Sequence, residues 1–449
     1  MQAHTPLSRQ PIRFFSVWAA LLACTLLLPH MANGQEAIEE APELSGLLQA
    51  LPGGGPNALG FMKESRLTLG GWLDGGVTYN PSNPSDRFNG TVTFNDRNSE
   101  PQLNQIYVYL ERPLDSNPDT WDFGGRVDFV YGTDAVFTQA IGDPQGNWDR
   151  RLLGNSNRFY QAAIPQAYLE FQAPIGTGLR TKLGHFYTII GNESVMAPDN
   201  FFYSHSYLMQ YGEPFTQTGA LANYALDENL TVMAGAVTGS LQGGWDGVFN
   251  RDLDQWGFVG GVTWTDGSTT LIANATHGDQ GQTPGDWNLY SLIARHDLED
   301  LHLTLQHDYG WADNAVNGQQ AQWYGVAPTA IVDLTETLSA GVRGEWFRDD
   351  EGFRVVSRIR ISENPAAGGS GGLLPIPSQN ATGDLAGNSY YAVTLGLNWK
   401  PVPWATVRPN ARYDWNDGPP MFHCSGGTPP STCQNSSQWL LSTDVILMF

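Results

Sequence analysis

Charged residues are scarce in this chain of 449 residues, and lysine is nearly absent. Asp, Glu, Lys and Arg make up 15% of the sequence, against about a quarter in ordinary soluble domains, and lysine occurs only as Lys63, Lys182 and Lys400. Strong helix formers are therefore scarce, while 51 Gly and 15 Trp are present. This composition favours one large β architecture over two or three soluble domains.

Long apolar runs are absent beyond the N-terminus. The N-terminus predicts a secretory signal peptide over 1–34. Arg9 and Arg13 form its positive region, residues 14–28 form its apolar core, and Ala32 and Gly34 are the small residues at the cleavage position. A lipoprotein box ending at Cys24 is less favoured, because apolar residues continue after it. No later window of about 18 apolar residues occurs, so a membrane crossing would need a closed barrel.

Cysteine is also rare. Once Cys24 leaves with the signal peptide, Cys424 and Cys433 remain, in a segment rich in Gly, Pro, Ser and Thr. In an exported protein this pair predicts a disulfide that closes one surface loop. A zinc site is disfavoured because only His423 lies near, and no metal or other cofactor is predicted. The preceding segment 35–65 is acidic and then rich in Gly and Pro, with no chemistry of its own.

From residue 66 onward, the sequence contains segments in which apolar and polar residues strictly alternate. The stretches 121–131 and 389–400 show it plainly, and sixteen such segments can be placed. Ten residues at a tilt near 45° cover about 25 Å, the height of an outer-membrane hydrocarbon band. Short turns alternate with long connections, at 80–102, 132–162, 188–215, 240–254, 349–387 and 416–437. The pattern predicts a closed transmembrane antiparallel β-barrel of about 16 strands over 66–449, with short periplasmic turns and long extracellular loops.

The last residues, 439–449, continue the alternation to the final Phe. One face is apolar, and its members Leu441, Val445, Leu447 and Phe449 resemble the assembly signal that barrel-assembly machinery recognises. This strand is expected to pair with the strand near 66–79, because a barrel must leave no open edge.

The opposite face of the strands is predicted to line the pore. It carries charges that would be costly against lipid: Asp74, Glu111, Arg126, Asp128, Glu170, Arg180, Lys182, Arg343, Glu345, Arg408, Arg412 and Asp414. Opposed charges across a narrow pore would orient dipolar solutes; for any single residue, a structural ion pair is the alternative. Small inward-facing residues are expected to suit a wide water-filled lumen rather than a packed core.

The connection 188–215 differs from the other long loops because it is apolar and aromatic. Exposed, it would form an adhesive patch, so it is expected to fold inward as a constriction loop. Glu193, Asp199 and Glu213 would then face basic side chains, while Tyr203 and Tyr207 would pack against the wall. A loop that rests on the outer rim is the alternative.

Four stretches carry a family resemblance: "GWLDGGVTYNPSNPSDRFNG", "LNQIYVYLERPLD", "WDFGGRVDFVYGTDA" and the segment from "LGHFYTIIGNES" to "PFTQTGALANYAL". Together they resemble the OmpL-like β-barrel porin family over nearly the whole mature chain. The resemblance implies an outer-membrane barrel with a porin role. It carries over no catalytic motif and names no solute.

These observations predict a porin of the cell outer membrane that passes small hydrophilic solutes or ions by passive diffusion. Outer-membrane lipids and barrel-assembly machinery are the expected partners, a homotrimer is typical of sixteen-stranded porins, and no nucleic acid is expected. No histidine lies in a G-x-S-x-G context, so an enzyme is not predicted. A secreted soluble carbohydrate-binding protein or glycosidase is the alternative, since the chain is rich in Trp and acidic.

Overall fold

The computed structural model describes residues 46–47, 55–84, 87–139, 152, 160–238, 256–279, 285–360, 373–377, 385–424 and 433–449. The predicted signal peptide 1–34, and most of 35–54, lie outside the described residues. One short helix, α1 (Gly60–Glu64), precedes the first strand. No helix in the described ranges is long and apolar enough to cross a membrane.

The described residues are dominated by one antiparallel sheet. In chain order its strands are β1 (Thr68–Tyr79), β2 (Gln102–Arg112), β3 (Asp122–Gly132), β4 (Gln161–Ala163), β5 (Ala167–Ala173), β6 (Leu179–Tyr187), β7 (Thr216–Ala225), β8 (Leu230–Thr238), β9 (Trp256–Asp266), β10 (Thr269–Asp279), β11 (Asp286–Leu298), β12 (Leu301–Val316), β13 (Gln319–Thr335), β14 (Leu338–Asp349), β17 (Asn388–Val402), β18 (Ala405–Val407), β19 (Asn410–Asn416) and β22 (Ser437–Met448). Two small hairpins lie apart from it: β15 (Val356–Arg360) with β16 (Leu373–Pro377), and β20 (Phe422–Cys424) with β21 (Cys433–Asn435).

The sheet closes on itself because its first and last strands pair. The register runs from Trp72 opposite Met448 to Tyr79 opposite Leu441. Beyond the last strand, the Phe449 N–H donates to the Gly71 carbonyl at 2.9 Å. β4 and β5 are two parts of one wall strand, as are β18 and β19, so the barrel has 16 strands. The predicted closed antiparallel 16-strand barrel is confirmed.

Alternation along each strand separates an apolar exterior from the lumen. In β22, Trp439 and Leu441 are 53% and 48% exposed, whereas Leu440 and Asp444 are buried. Rings on the outer face follow one another from β11 to β22, with Tyr309 and Tyr324 centred 5.9 Å apart and Tyr391 and Trp415 5.2 Å apart. The other members of this belt are Tyr290, Trp311, Trp346, Tyr413 and Trp439. Aromatic girdles of this kind lie at membrane–water interfaces.

A hydrophobic core fills part of the barrel interior. Tyr207, Leu208 and Tyr211, from the connection between β6 and β7, pack against wall residues that include Trp323 and Phe347. The expectation of a wide lumen in place of a packed core is therefore wrong for the region that this connection occupies. Its physical reason is that a long apolar loop gains more by burial inside the barrel than by exposure at the rim.

Inward-facing glycines have a different use from the one predicted. A Cβ at Gly341 would lie 2.5 Å from Phe201 Cε1, and one at Gly396 would lie 2.7 Å from Phe202 Cδ1. Real Cβ atoms do not approach carbon so closely. These glycines therefore make room for aromatic rings of the connection, Phe201 and Phe202, against the wall.

The two remaining cysteines are joined. Cys424 and Cys433, nine residues apart in the sequence, form a disulfide between β20 and β21. Met421 and Phe422, just before it, are buried, and a Cβ at Gly90 would lie 3.1 Å from Phe422 Cδ1. The disulfide thus closes a small hairpin that packs on the connection between β1 and β2.

Candidate functional site

The connection between β6 and β7, residues 188–215, crosses the lumen; it is called the inward loop below. Its ends are held together where the Thr188 N–H donates to the Phe215 carbonyl at 3.0 Å. Between them the chain makes a 3-10 turn at Ala197–Asp199 and a π-helical turn at Leu208–Gly212. Its polar groups bind wall residues of β2, β12, β13, β14 and β19, which explains why so long a loop has a defined path.

Arginines of the wall donate hydrogen bonds to backbone carbonyls of the inward loop. Arg343 in β14 donates through Nη2 to the Ser204 carbonyl at 2.9 Å and also binds Glu193 of the loop. Arg412 in β19 donates through Nη1 to the His205 carbonyl at 3.0 Å. A guanidinium has five donors in a fixed fork, so one arginine can bind a loop carbonyl and a carboxylate together.

Carboxylates of the wall complete this network. Glu345 accepts from Arg343 Nε at 2.9 Å and from Arg412 Nη1 at 2.7 Å, and its second oxygen accepts from the Tyr207 N–H at 2.7 Å. Asp414 accepts from Arg412 Nε at 2.8 Å and from the Tyr207 hydroxyl at 3.1 Å. The four wall side chains are at most 3% exposed. They therefore form an enclosed ion network that the loop covers.

A second arginine anchor lies where the barrel closes. Arg408, between β18 and β19, donates to the carbonyls of Ala197 and Asn200, both at 2.7 Å. The same guanidinium pairs with Asp444, the one charge in the last strand. Asp74 of β1 is buried beside this pair. Arg408 thus binds both the strand that closes the barrel and the inward loop.

Amides of β2, which were not predicted, hold the middle of the inward loop. Gln105 donates to the Val195 carbonyl at 2.7 Å and accepts from the Ala197 N–H at 3.2 Å. Asn104 accepts from the Tyr203 hydroxyl at 2.9 Å. The only sequence signal of Gln105 is its lumen-side phase in β2, which other wall amides share. Asn104, its neighbour, points inward as well because the register between β1 and β2 shifts there.

The connection between β1 and β2 also folds inward, a second feature that the sequence did not reveal. The Gln210 side-chain oxygen accepts from the Thr93 N–H at 2.6 Å, and the Tyr211 hydroxyl donates to the Thr91 carbonyl at 2.5 Å. The ring of Phe94 stacks on Phe137 with centroids 4.2 Å apart. Two loops therefore pack on each other inside the barrel.

All twelve predicted pore-lining residues lie on the lumen side of the wall, but they fall into two groups. The covered group, at most 8% exposed, comprises Asp74, Asp128, Arg343, Glu345, Arg408, Arg412 and Asp414. The second group keeps part of its surface open and comprises Glu111, Arg126, Glu170, Arg180 and Lys182. Asp74 is buried near Arg408 and Asp444, and the other covered residues bind one another, the inward loop or a neighbouring wall side chain. The second group faces space inside the barrel.

Four members of the open group, Glu111, Arg126, Glu170 and Lys182, form a strip across β2, β3, β5 and β6, called the charged ladder below. Arg126 Nη1 lies 3.3 Å from Glu111 Oε2, and Lys182 Nζ lies 3.8 Å from Glu170 Oε1. These four side chains are 16–28% exposed. Aromatic faces support the cations, with Arg126 over Tyr109 at 4.2 Å. Acid and base alternate along the strip, so its net charge is close to zero.

The predicted loop residues are divided in the same way. Tyr203 and Tyr207 are buried against the wall, Glu193 is bound by Arg343, and Glu213 is buried beside β12. Asp199 differs, because solvent reaches it. Enclosure by the barrel raises the pKa of its carboxyl, while the positive charge of Arg126 acts in the opposite direction. Asp199 therefore faces the space that the charged ladder borders.

Comparisons with known proteins agree with this architecture. The family described as "Putative beta-barrel porin-2, OmpL-like" matches residues 66–449. No match to the chain is found among curated proteins. Among solved structures, the anion-selective porin from Comamonas acidovorans has a TM-score of 0.53 at 10% identity, over 85% of this chain and 99% of that one. The channel DcaP of Acinetobacter baumannii gives 0.50 at 10% identity, with 85% and 97% covered. OprB of Pseudomonas putida gives 0.50 at 12%, with 87% and 96% covered.

Proposed function

We propose, from the premise that the chain belongs to the OmpL-like β-barrel porin-2 family, that solutes cross this outer-membrane porin between the inward loop and the charged ladder. The protein is a channel of the outer membrane, so the alternative of a secreted soluble protein is wrong. The proposal concerns the path and the class of solute, which is small and hydrophilic.

The observation that carries the proposal is that the covered group of charged side chains is buried, whereas the charged ladder is partly exposed inside the barrel. Arg343, Arg408 and Arg412 have side chains at most 3% exposed, and the inward loop fills the space beside them. Arg126 and Lys182 keep 16% and 28% of their side chains exposed inside the same barrel. Water and dissolved solutes can therefore reach the ladder side of the loop.

Charge of both signs borders this passage. The ladder offers two acids and two bases that lie in pairs, and Asp199 adds a carboxylate from the loop. Opposed charges at close range orient dipolar solutes and water. Since the ladder is nearly neutral, we expect weak preference between anions and cations and no exclusion of uncharged solutes.

Cysteine substitution tests the path. The two cysteines outside the signal peptide form a disulfide, so an added thiol is the only reactive one. We expect a charged thiol reagent to reduce single-channel conductance in planar bilayers for Lys182→Cys and Asp199→Cys. The matched control is Leu169→Cys, on the lipid face at 58% exposure, which should not respond. Unchanged conductance in both lumen variants after verified labelling would contradict this path.

Other expectations stay predictions. We propose that residues 1–34 are removed as a signal peptide, that 35–65 precedes the barrel, and that Phe449 with Leu447, Val445 and Leu441 directs assembly. A homotrimer is likewise proposed, as is usual for barrels of this strand count. In the described residues no group of three or more His, Cys, Asp or Glu side chains is arranged to hold a metal ion.

A further inference from the structure

Two carboxyl groups meet where the inward loop returns to the wall. Glu213, near the end of the loop, is 1% exposed, and Asp308 in β12 is 0% exposed. The Gln306 side-chain amide donates to Glu213 Oε1 and, at 2.8 Å, to Asp308 Oδ2. One amide nitrogen therefore contacts both acids, which brings their oxygens close together inside the barrel.

The loop is shaped to bring Glu213 to this position. Gly191, at the start of the loop, has φ of +88°, and a Cβ there would lie 1.8 Å from Glu213 Oε2. The carboxyl thus occupies the space that a side chain at Gly191 would need. Next to it, Trp323 Nε1 donates to the Gly212 carbonyl at 3.0 Å. The two ends of the inward loop therefore pack around the two carboxyl groups.

In the part of the chain that the structure describes, no lysine or arginine pairs with these two acids. Within the described ranges neither Glu213 nor Asp308 forms an ion pair. The charged and titratable groups around them are Glu193, which Arg343 already binds, together with His307 and Tyr290. His307 Nδ1 donates to the Gly325 carbonyl at 2.9 Å, and His307 Nε2 lies 3.4 Å from the Tyr290 hydroxyl on the outer side of the wall.

Two adjacent buried carboxyls cannot both be ionised, so they hold a proton between them. Burial first, and then the negative charge of Asp308, raise the pKa of Glu213 well above its usual range. A raised carboxyl pKa stabilises the folded arrangement fully at acid pH, below the pKa of the free side chain. That stabilisation is lost as pH rises through the folded pKa.

We propose that Glu213 and Asp308 form a proton-dependent latch that holds the inward loop against β12 and releases it when the shared proton leaves. The inference rests on the proposed function, because the latch regulates the passage that the loop borders. With the proton present, one carboxyl donates a hydrogen bond to the other. Without the proton, the two buried carboxylates repel each other. The end of the inward loop that carries Glu213 then separates from β12, which widens the passage.

The test is single-channel conductance of the full-length porin in planar bilayers as pH rises from neutral to alkaline. We expect a conductance increase in the native protein and its loss in Glu213→Gln, because an amide donates to Asp308 at every pH. Asp308→Asn should lose the increase in the same way. The matched control is Asp74→Asn, another buried acid, whose neighbour Asp444 is paired with Arg408; it should keep the increase.

A second measurement follows the loop directly. Hydrogen exchange over residues 208–215, corrected for the intrinsic effect of pH, should accelerate at alkaline pH in the native protein and stay slow in Glu213→Gln. Heat-modifiable migration on gels verifies that each variant is folded. An equal alkaline increase in the native protein and Glu213→Gln would overturn the latch, as would no increase in either.

The two proposals fail separately. If verified thiol labelling at both Lys182→Cys and Asp199→Cys leaves conductance unchanged, the path itself is wrong. If labelling reduces conductance but the native channel and its loop exchange show no alkaline change, the path stands and the latch is wrong.

Discussion

Two walls of the barrel carry the same kinds of charged residue and use them differently. On β14 and β19, Arg343 and Arg412 are covered by the inward loop and bind its carbonyls. On β3 and β6, Arg126 and Lys182 face open space and pair with acids beside them. The difference teaches that a lumen-side charge is either an anchor or a lining group, and that cover by the loop decides which.

The two walls also differ in how much stability is lost when one partner of an ion pair is removed, because the ion pairs are buried on one wall and partly exposed on the other. A buried ion pair that loses one partner leaves an uncompensated charge in a medium of low polarity and costs about 3–5 kcal/mol. A pair in contact with water contributes about 0–1 kcal/mol, because water and salt replace the lost partner. The anchor wall should therefore govern stability and loop position, and the ladder should govern how solutes and ions pass.

Removal of one anchor should have the largest effect. Arg412→Met leaves Glu345 and Asp414 without a shared cation, so we expect a loss of about 3–5 kcal/mol in unfolding free energy and release of the loop. Arg180→Met is the matched control: among the described residues its guanidinium binds Gln172, at 3.0 Å, and the Asp115 carbonyl, at 3.4 Å, and no acid. Its loss should not exceed about 1 kcal/mol. Urea unfolding in detergent micelles measures both.

Equal losses in these two variants would contradict the distinction between anchor and lining charges. Single-channel conductance gives an independent reading, since release of the loop should raise it in Arg412→Met. An Arg412→Met protein with native conductance and native stability would show that the buried network does not hold the loop.

Alternation along the strands was sufficient to predict which residues face the lumen. Arg126, Lys182, Arg343 and Arg412 all occupy lumen positions, as their phase predicted. Side-chain direction in a strand is a local property with a period of two. For the same reason the number of strands, the short turns and the long loops were predictable.

Cover by the loop was not predictable from local patterns. Arg412 and the segment near His205 are about two hundred positions apart in the chain, and their contact depends on the path of the whole loop. Gln105 and Gly396 carry no distinguishing signal either, because amides and glycines are common on any porin wall. The composition of the loop indicated that it turns inward, but the groups that receive it became visible only in the structure.

A wall glycine offers a test that leaves every charge in place. Gly396→Ala puts a methyl 2.7 Å from Phe202 Cδ1, so the ring must move and the loop with it; overpacking of this kind costs about 1–3 kcal/mol. The matched control is Gly344→Ala on the lipid face, where the nearest atom is Pro328 Cγ at 3.7 Å. Hydrogen exchange of the inward loop should accelerate in the first variant alone. Equal exchange in the two variants would show that Phe202 is not seated on the wall.

The smallest expected effect is on ion preference at the ladder. Lys182 and Glu170 form a loose pair, 3.8 Å apart and 28% and 23% exposed, so stability should change by no more than about 1 kcal/mol in either variant. Lys182→Gln removes a positive charge from the passage and should shift the reversal potential in a salt gradient toward cation preference. Glu170→Gln should shift it toward anions, and the double variant should return it close to native. The shifts should shrink at high salt, since screening shortens the reach of exposed charges. Shifts of the same sign in both single variants would show that ions do not pass beside the ladder.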